Sequence, residues 1–161
     1  MNKHTAHIQT PLGIAKVVSD EVGIQEISVL DEKINIENSA DIPQVLKDCI
    51  CQLEEYFEGK RTEFNLNLTP KGTDFQQKVW HELNKIPFGK TCSYLELSKK
   101  LGDVKAIRAV ASANGKNPLW IVAPCHRVIG SDGSLTGYAG GLWRKKWLLE
   151  HENPVKQQSL F

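Results

Sequence analysis

A cysteine, a histidine and an arginine follow one another at Cys125, His126 and Arg127, inside a stretch that is otherwise apolar. A cysteine becomes a good nucleophile when a base or a positive charge favours its thiolate, and these neighbours could supply either. Arg127 has two interpretations, a charge beside the thiolate or a structural ion pair. Pro124 cannot donate a backbone hydrogen bond and stiffens the chain before the thiol. We therefore predict that residues 121–130 form a buried strand, interrupted by a nucleophilic cysteine or, alternatively, by a structural thiol.

A histidine that acts as a base needs a carboxylate on its second ring nitrogen. Three candidates exist, Glu150 and Glu152 near the end of a predicted helix and Asp132 before it, and spacing alone does not choose among them. Neighbouring side chains of an extended segment point to opposite faces. If the segment is extended, His126 does not contact Cys125 directly, and a bridging water is one way to join them.

The composition is that of a soluble globular protein, with 40% hydrophobic and 24% charged residues. The chain contains no apolar run of the roughly 18–20 residues that a membrane span requires, and its first residues lack the apolar segment of a secretory signal. We therefore expect a cytoplasmic protein with no membrane partner. Its four cysteines follow neither a disulfide nor a zinc-binding spacing, so we expect free thiols, no metal and no cofactor.

Charge is distributed unevenly along the chain. Residues 1–70 contain 6 Lys and Arg against 12 Asp and Glu, whereas residues 71–161 contain 14 against 7. A basic half of this kind favours binding to a polyanion such as nucleic acid, with a purely solvating role as the alternative. Because Thr69–Gly72 also has the composition of a turn, we predict a structural N-terminal domain over 1–70 and a separate C-terminal domain over 73–161.

Hydrophobic periodicity predicts a mixed α/β protein of the α+β kind. In the N-terminal half we predict strands over 13–20, 23–30 and 62–68 and a helix over 44–57. The C-terminal half is predicted to be mostly helical, with helices that begin near Thr73, Ser93, Asp103 and Gly141. The first two starts have Gln76 and Glu96 three residues later, the pattern of a capping box. The second and third helices, joined at Gly102, are a candidate helix-turn-helix.

The third of these helices has an unusually slim surface. Ala106, Ala109 and Ala113 give it small side chains, and Arg108 stands among them. Small residues let a helix approach another surface closely. That surface is either a neighbouring helix or a nucleic-acid groove, and in the second case Arg108 could reach into a duplex.

The segment Asn117–Gly130, NPLWIVAPCHRVIG, resembles the active-site signature of the O6-alkylguanine-DNA alkyltransferases, in which an Asn-Pro pair precedes a Pro-Cys-His-Arg-Val core. Further segments match this family in order and spacing: TDFQQKVWHELNKIPFG, FGKTCSYLELSKKLG, KAIRAVASAN and GYAGGLWRKKWLLEHE. The resemblance is to the bacterial Ogt-like members; it covers residues 73 to about 152 closely and the N-terminal half in general plan. It implies a ribonuclease H-like N-terminal lobe and a winged-helix-like C-terminal lobe.

The resemblance also implies a role for each catalytic residue. Cys125 would accept the alkyl group from guanine O6, His126 would deprotonate it through a water, and Glu152 would orient that histidine. Tyr94 would assist base extrusion and protonate the departing guanine. Asn117 would brace the turn before the cysteine. The thioether product is too stable to hydrolyse, so each molecule would act once, without a cofactor.

The resemblance assigns DNA-binding and pocket residues as well. Arg108 would replace a base flipped out of the duplex, and the small residues of its helix would lie in the minor groove together with Tyr94. The substrate pocket would be lined by Tyr138, Ala139 and Gly140. Trp120 stands at a pocket-side position where many family members have a smaller residue, and it is either a pocket wall that excludes bulky adducts or a core or surface aromatic. The implied partner is double-stranded DNA containing O6-alkylguanine or O4-methylthymine, bound by a monomer.

Two other functions are compatible with parts of the pattern. A non-catalytic sensor of damaged DNA would share the DNA-binding features, but such sensors lack the acceptor cysteine that this chain has at Cys125. A hydrolase using Cys125 and His126 would need an oxyanion hole and turnover, and it would leave the DNA-binding features unexplained. Direct repair by alkyl transfer is therefore the function that the sequence favours.

Overall fold

The structure, a computed structural model, describes residues 2–135, 138 and 140–153, which divide into two units. The first contains the described residues up to Lys71 with Pro118–Trp120, and the second contains Gly72–Asn117 with the described residues from Ile121 onward. Helices and strands occur in both, which confirms the predicted mixed α/β class. In the described part of the chain, no helix is both long enough and apolar enough to span a membrane.

A three-stranded antiparallel sheet forms the base of the N-terminal unit, in the order β1–β2–β3. Its strands are β1 (His4–Thr10), β2 (Gly13–Ser19) and β3 (Ile24–Leu30). The predicted strands over 13–20 and 23–30 are confirmed. Strand β1 lies outside the predicted ones, because only Ala6 and Ile8 in it are apolar and the alternation is therefore weak.

Helix α1 (Gln44–Phe57) packs against this sheet and has the bounds that the sequence predicts. Its buried residues are Leu46, Cys49, Leu53 and Tyr56. These recur every three or four positions, so one side of the helix faces the strands. Burial raises the pKa of the Cys49 thiol to about 12, which makes this cysteine a packing residue rather than a nucleophile.

The predicted strand over 62–68 is wrong. The chain there forms a single parallel bridge, between Ile24 and Leu68. Asn65 instead exchanges hydrogen bonds with the side chain of Gln52 on α1: Asn65 N donates to Gln52 Oε1 at 2.9 Å, and Gln52 Nε2 donates to Asn65 O at 3.0 Å. Because the Gln52 side chain satisfies the Asn65 backbone, the segment meets β3 through this single bridge and does not form a strand.

Pro118–Trp120 also pairs with β3, although it comes from the second half of the sequence. Ile27 N donates to Pro118 O at 2.8 Å, and Trp120 N donates to Ile27 O at 3.0 Å. The Trp120 indole is buried, and its ring centre lies 6.1 Å from that of Phe57. Three residues of the signature segment therefore belong to the N-terminal unit.

Helices dominate the C-terminal unit, and two of them begin with the predicted capping boxes. The helices are α2 (Asp74–Leu83), α3 (Tyr94–Lys100), α4 (Ile107–Gly115) and α5 (Leu142–His151), with a 3₁₀ turn at Val104–Ala106 before α4. Thr73 caps α2 and Ser93 caps α3, and in each box the side chain three residues later bonds back to the capping residue. Gly102, with a φ of 85°, ends α3 in a left-handed conformation that glycine adopts easily, which turns the chain toward α4.

The predicted strand over 121–130 forms only in part. Ile121 has a φ of 70°, which is strained for a β-branched residue. The next elements are a 3₁₀ turn at Cys125–Arg127 and the short strand β5 (Val128–Ile129), which pairs in parallel with β4 (Cys92–Ser93). Ile121 and Val128 are buried as the apolar pattern predicts. The apolar residues of 121–130 thus predict correctly that the segment is buried. They do not predict that its backbone forms a turn instead of a continuous strand.

Candidate active site

The 3₁₀ turn buries three side chains that could do chemistry. Cys125, His126 and Arg127 are 8%, 0% and 6% exposed. Pro124 precedes the turn, and its carbonyl accepts a hydrogen bond from Arg127 N at 3.0 Å. Since a 3₁₀ helix has three residues per turn, successive side chains diverge by about 120°. The thiol and the imidazole therefore leave the backbone in different directions.

The Cys125 thiol is surrounded by side chains from several parts of the unit. Burial raises the pKa of this thiol above its ordinary value, and a hydrogen bond from Asn117, the positive charge of Lys145 and a hydrogen bond from Tyr138 offset only part of that rise. Asn117 also donates from Nδ2 to Ala123 O at 2.7 Å, so the same side chain braces the turn. All three groups stabilise a negative sulfur, which is the nucleophilic form of cysteine.

A buried ion network joins the two residues that follow the cysteine to Glu152. His126 Nε2 lies 2.7 Å from Glu152 Oε2. Arg127 binds both carboxylate oxygens, from Nε to Oε1 at 2.8 Å and from Nη2 to Oε2 at 3.1 Å. Arg127 Nη1 also donates to Ile86 O at 2.7 Å. Of the two interpretations of Arg127, the structure supports the structural ion pair.

This network keeps Glu152 charged and His126 neutral. Burial alone would raise the pKa of Glu152, but the hydrogen bonds from His126 and Arg127 and the positive charge of Arg127 outweigh it and hold the pKa at about 2. Burial lowers the pKa of His126 more than its contact with Glu152 raises it. A neutral His126 that donates from Nε2 has a lone pair on Nδ1. Among the described residues Nδ1 has no hydrogen-bond partner, so it can accept a proton.

Lys145 is a candidate functional residue that the sequence does not reveal. Its side chain is fully buried, and Nζ donates to Val128 O at 2.6 Å. The same Nζ lies 5.9 Å from the ring centre of Tyr94 and 6.0 Å from that of Tyr138. A lysine in a run of basic residues is usually solvated. The one sequence clue is that Lys145 lies three residues before the apolar Leu148, and so on the same side of α5.

The two tyrosines pack against the core that contains Cys125, and both are partly buried. Gly140 O accepts a hydrogen bond from Arg144 Nη1 at 2.8 Å, which fastens this part of the loop to α5. Ala139 lies outside the described residues. The structure therefore brings Tyr94 and Tyr138 to the cysteine's surroundings and places Gly140 at the start of α5.

Several sequence candidates take other positions. Glu150 and Asp132 are exposed, and Asp132 Oδ1 accepts a hydrogen bond from Ser134 N at 3.0 Å, so the geometry selects Glu152 from the three carboxylates. Trp120 contacts Phe57 in the N-terminal unit, and its role as a pocket wall stays a prediction. In the described ranges, no three His, Cys, Asp or Glu side chains are placed to hold a metal ion.

Helix α4 presents an exposed surface of small residues beside Arg108. Its exposed members include Arg108, Ala109, Ala111 and Ser112, and Ala106 just before it is half-buried. Ala113 is 3% exposed, and its carbonyl accepts a hydrogen bond from Trp80 Nε1 at 2.8 Å. The prediction that Ala113 faces nucleic acid is therefore wrong, because this residue lies on the side of α4 that packs against α2.

Two family models match consecutive parts of the chain. The ribonuclease-like domain of 6-O-methylguanine DNA methyltransferase matches residues 3–70, and the DNA-binding domain of the same enzyme matches residues 74–154. The chain belongs to this family. The protein is therefore a transferase that repairs DNA by alkyl transfer. The alternative function, a non-catalytic sensor of damaged DNA, is not favoured.

Similar proteins match nearly the whole chain. The methylated-DNA–protein-cysteine methyltransferase of Methanosarcina barkeri is 45% identical over 148 residues, which are 90% of this chain and 94% of the relative. The protein of the same name from Mycolicibacterium paratuberculosis is 39% identical over 155 residues, 95% of this chain and 94% of the relative. The crystal structure of Mycobacterium tuberculosis OGT in complex with DNA gives a TM-score of 0.83 at 40% identity, covering 98% of this chain and 99% of that one.

Proposed function

We propose that Cys125 accepts the alkyl group of an O6-alkylguanine in double-stranded DNA and retains it. The observation that supports this role is a buried thiol whose neighbours stabilise a negative sulfur, followed in the chain by His126. His126 is anchored through Nε2 by Glu152, and its Nδ1 can accept a proton. Nucleophile, base and orienting carboxylate are the groups that such a transfer needs.

The proposed transfer is a single displacement. His126 takes the Cys125 proton through a bridging water, and the sulfur attacks the alkyl carbon. One S–C bond forms while the bond from that carbon to guanine O6 breaks, and the electron pair stays on the guanine. The leaving guanine takes a proton from Tyr94. The resulting thioether does not hydrolyse, so one protein molecule repairs one base.

We propose that the damaged base leaves the duplex to reach Cys125, because a stacked base cannot contact a buried thiol. Arg108, which is exposed on α4, would occupy the space of the flipped base. Ala106 and Ala109 would let the helix enter the minor groove. The pocket would be lined by Tyr138, Ala139 and Gly140, with Trp120 limiting adduct size.

The C-terminal domain, 73–161, would then carry both DNA binding and chemistry, and the N-terminal domain, 1–70, would be structural. The net charge of +7 over residues 71–161 would attract DNA phosphates without regard to sequence. Because one chain supplies every proposed group, we propose that the protein acts as a monomer. A reactive free thiol suits a reducing compartment, which favours the cytoplasm.

The acceptor can be identified by mass. The protein is incubated with a molar excess of duplex DNA containing O6-methylguanine, and intact and peptide masses are taken. We expect one methyl group per chain, on the peptide that contains Cys125. Cys125→Ser should remove the transfer and keep DNA binding, whereas Cys51→Ser, which changes an exposed cysteine on α1, should behave as the wild type.

Other outcomes would contradict this assignment. A methyl group on Cys92 would mean that the acceptor is wrong. More than one repaired base per chain would exclude a retained alkyl group and favour a hydrolytic reaction. DNA binding by the wild type without any methyl transfer would favour the sensor.

A further inference from the structure

Two large apolar side chains lie exposed at the start of α5. Trp143 is 58% exposed and Leu142 is 48% exposed, whereas Arg144 and Lys145, the next two residues, are buried. Tryptophan combines a large apolar surface with a polar N–H group and is enriched at interfaces. An indole left in solvent next to two buried cationic residues suggests a binding surface rather than part of the core.

The exposed indole is already held in place. The guanidinium carbon of Arg144 lies 4.6 Å from the centre of the Trp143 ring, and Arg144 is itself fixed by its hydrogen bond to Gly140 O. Gly141 has a φ of 95°, and a Cβ built there would lie only 3.3 Å from Cδ1 and 3.4 Å from Nε1 of Trp143. The indole edge therefore lies against the Gly141 backbone. A ligand that stacks on this ring would cost little side-chain entropy.

The surroundings of the indole are basic. Lys146 is exposed and follows Leu142 by four residues and Trp143 by three, so it lies on the same side of α5. Leu142, Trp143 and Lys146, which together form this patch, lie within the segment that matches the family's DNA-binding domain. Proteins hold unstacked nucleotides with flat aromatic rings for the bases and basic side chains for the phosphates. The charge and the aromatic ring together favour a nucleotide over an apolar protein partner.

The patch also lies next to the proposed substrate pocket. Gly141 N donates to Tyr138 O at 3.0 Å, which closes a short turn between the tyrosine and α5. Lys145, two residues after Trp143, lies within 6.0 Å of the ring centres of both Tyr94 and Tyr138. A strand whose damaged nucleotide enters the pocket would therefore have its neighbouring nucleotides close to Trp143.

We propose that Trp143 and Lys146 form a nucleotide-stacking site for the damaged strand, next to the flipped base. A base that leaves the stack deprives its neighbour of a stacking partner, and the fixed indole offers a replacement surface. Lys146 binds the adjoining phosphate. This inference rests on the proposed repair of duplex DNA.

The test compares duplex DNA with a substrate that has no neighbouring nucleotide. Rates of methyl transfer to Trp143→Ala are measured with O6-methylguanine in a duplex and with the free base. Duplex affinity is measured in the Cys125→Ser background, so that no transfer occurs. We expect Trp143→Ala to lower the transfer rate on the duplex at least about 5-fold more than the rate on the free base. This factor corresponds to the weakest base–aromatic stacking, about 1 kcal/mol. Trp143→Phe should retain most of the duplex rate.

A matched control is Val22→Ala, which shortens an apolar residue that is 50% exposed in the N-terminal unit and should leave both rates at wild-type values. Equal losses of Trp143→Ala on duplex and free base, or an unchanged duplex affinity, would overturn the proposal. Sedimentation of the wild type as a dimer that Trp143→Ala converts to monomer, with DNA affinity unchanged, would assign the patch to a second copy. If the wild type transfers no methyl at all, the repair function fails, whereas the effect on duplex affinity still tests the stacking site.

Discussion

Cys125 owes its proposed reactivity to its neighbours, because burial by itself raises the pKa of a thiol. Asn117, Lys145 and Tyr138 act in the opposite direction and favour the thiolate. Lys145 differs from the other two because it acts through its positive charge, although burial lowers the pKa of this amine. That charge is also buried, so the surrounding solvent screens it little.

Replacing this charge should change the pH at which Cys125 reacts. In Lys145→Met the thiol loses a cation that lowers its pKa, so we expect the pH profile of methyl transfer from the free base to move to higher pH. A move of one pH unit would lower the rate near neutral pH by about tenfold. The measurement is the transfer rate from about pH 7 to about pH 11, because burial raises the pKa of Cys125 above the ordinary thiol value of about 8.5.

Lys145→Arg is the matched control, because it keeps the positive charge, and its profile should move less. The midpoint of the profile separates an electrostatic role from a loss of folding, which would lower the rate equally at every pH. A Lys145→Met profile with the wild-type midpoint would show that Lys145 only packs against its neighbours.

At the scale of the element, the two sides of α4 differ in burial. Val110, Ala113 and Asn114 are buried, and Trp80 on α2 is hydrogen-bonded to Ala113 O. The exposed side carries small residues and Arg108. A helix that is fixed in the core on one side and slim on the other can present one long side chain to DNA at a defined depth.

Arg108→Ala tests whether that side chain supports base flipping. Flipping costs a few kcal/mol, which a side chain in the vacated space partly offsets. We expect the duplex rate to fall about tenfold more than the free-base rate, since the free base needs no flipping. Lys116→Ala, which removes an exposed charge just after α4, should lower the duplex rate only slightly. Equal losses of Arg108→Ala on both substrates, or equal effects of the two variants, would show that Arg108 contributes charge alone.

At the scale of the whole molecule, the network around Glu152 ties distant parts of the sequence together. Glu152 is the C-cap of α5, Arg127 belongs to the 3₁₀ turn, and the Ile86 carbonyl follows α2. The side chains of His126, Arg127 and Glu152, which form this network, are all buried. Breaking such a network leaves an uncompensated buried charge, so it should govern how stability depends on pH.

Stability should fall on acidification in two steps. The pKa of His126 is lowered from 6.5, so the unfolded chain binds its proton more readily, and stability decreases below that pH. The pKa of Glu152 is lowered from 4.5 to about 2, so its contribution is complete above pH 4.5 and is lost as the pH falls toward 2. A shift of this size corresponds to about 3 kcal/mol. The free energy of unfolding in urea, measured in the full chain between neutral pH and pH 3, checks both steps.

Glu152→Gln is the variant that separates this network from other carboxylates. It should cost about 3–5 kcal/mol at neutral pH, because Arg127 loses its partner while still buried. Its stability should also depend less on pH below 4.5 than that of the wild type. Parallel pH curves for the two proteins would place the acid sensitivity elsewhere in the chain.

Local features of this protein followed from its sequence. The bounds of α1 came from apolar spacing, and the starts of α2 and α3 came from two capping boxes, since these patterns depend on residues within one or two helical turns. The acceptor candidate Cys125 and its histidine came from one contiguous signature, and the exposed Arg108 came from a second short segment. These predictions need no knowledge of distant contacts.

Tertiary structure decided the features that depend on residues far apart. Gln52 takes the hydrogen bonds that a strand over 62–68 would have used, and it is 13 residues from its partner. Glu152 reaches His126 across 26 residues, and spacing alone does not distinguish it from Glu150, so the sequence pointed to it only through the family resemblance. The burial of Lys145 among tyrosines, like the left-handed turn at Ile121, depends on packing around the whole unit. Sequence patterns report what a side chain prefers among its neighbours in the chain, whereas its partner and its charge environment are determined by which segments the fold brings together.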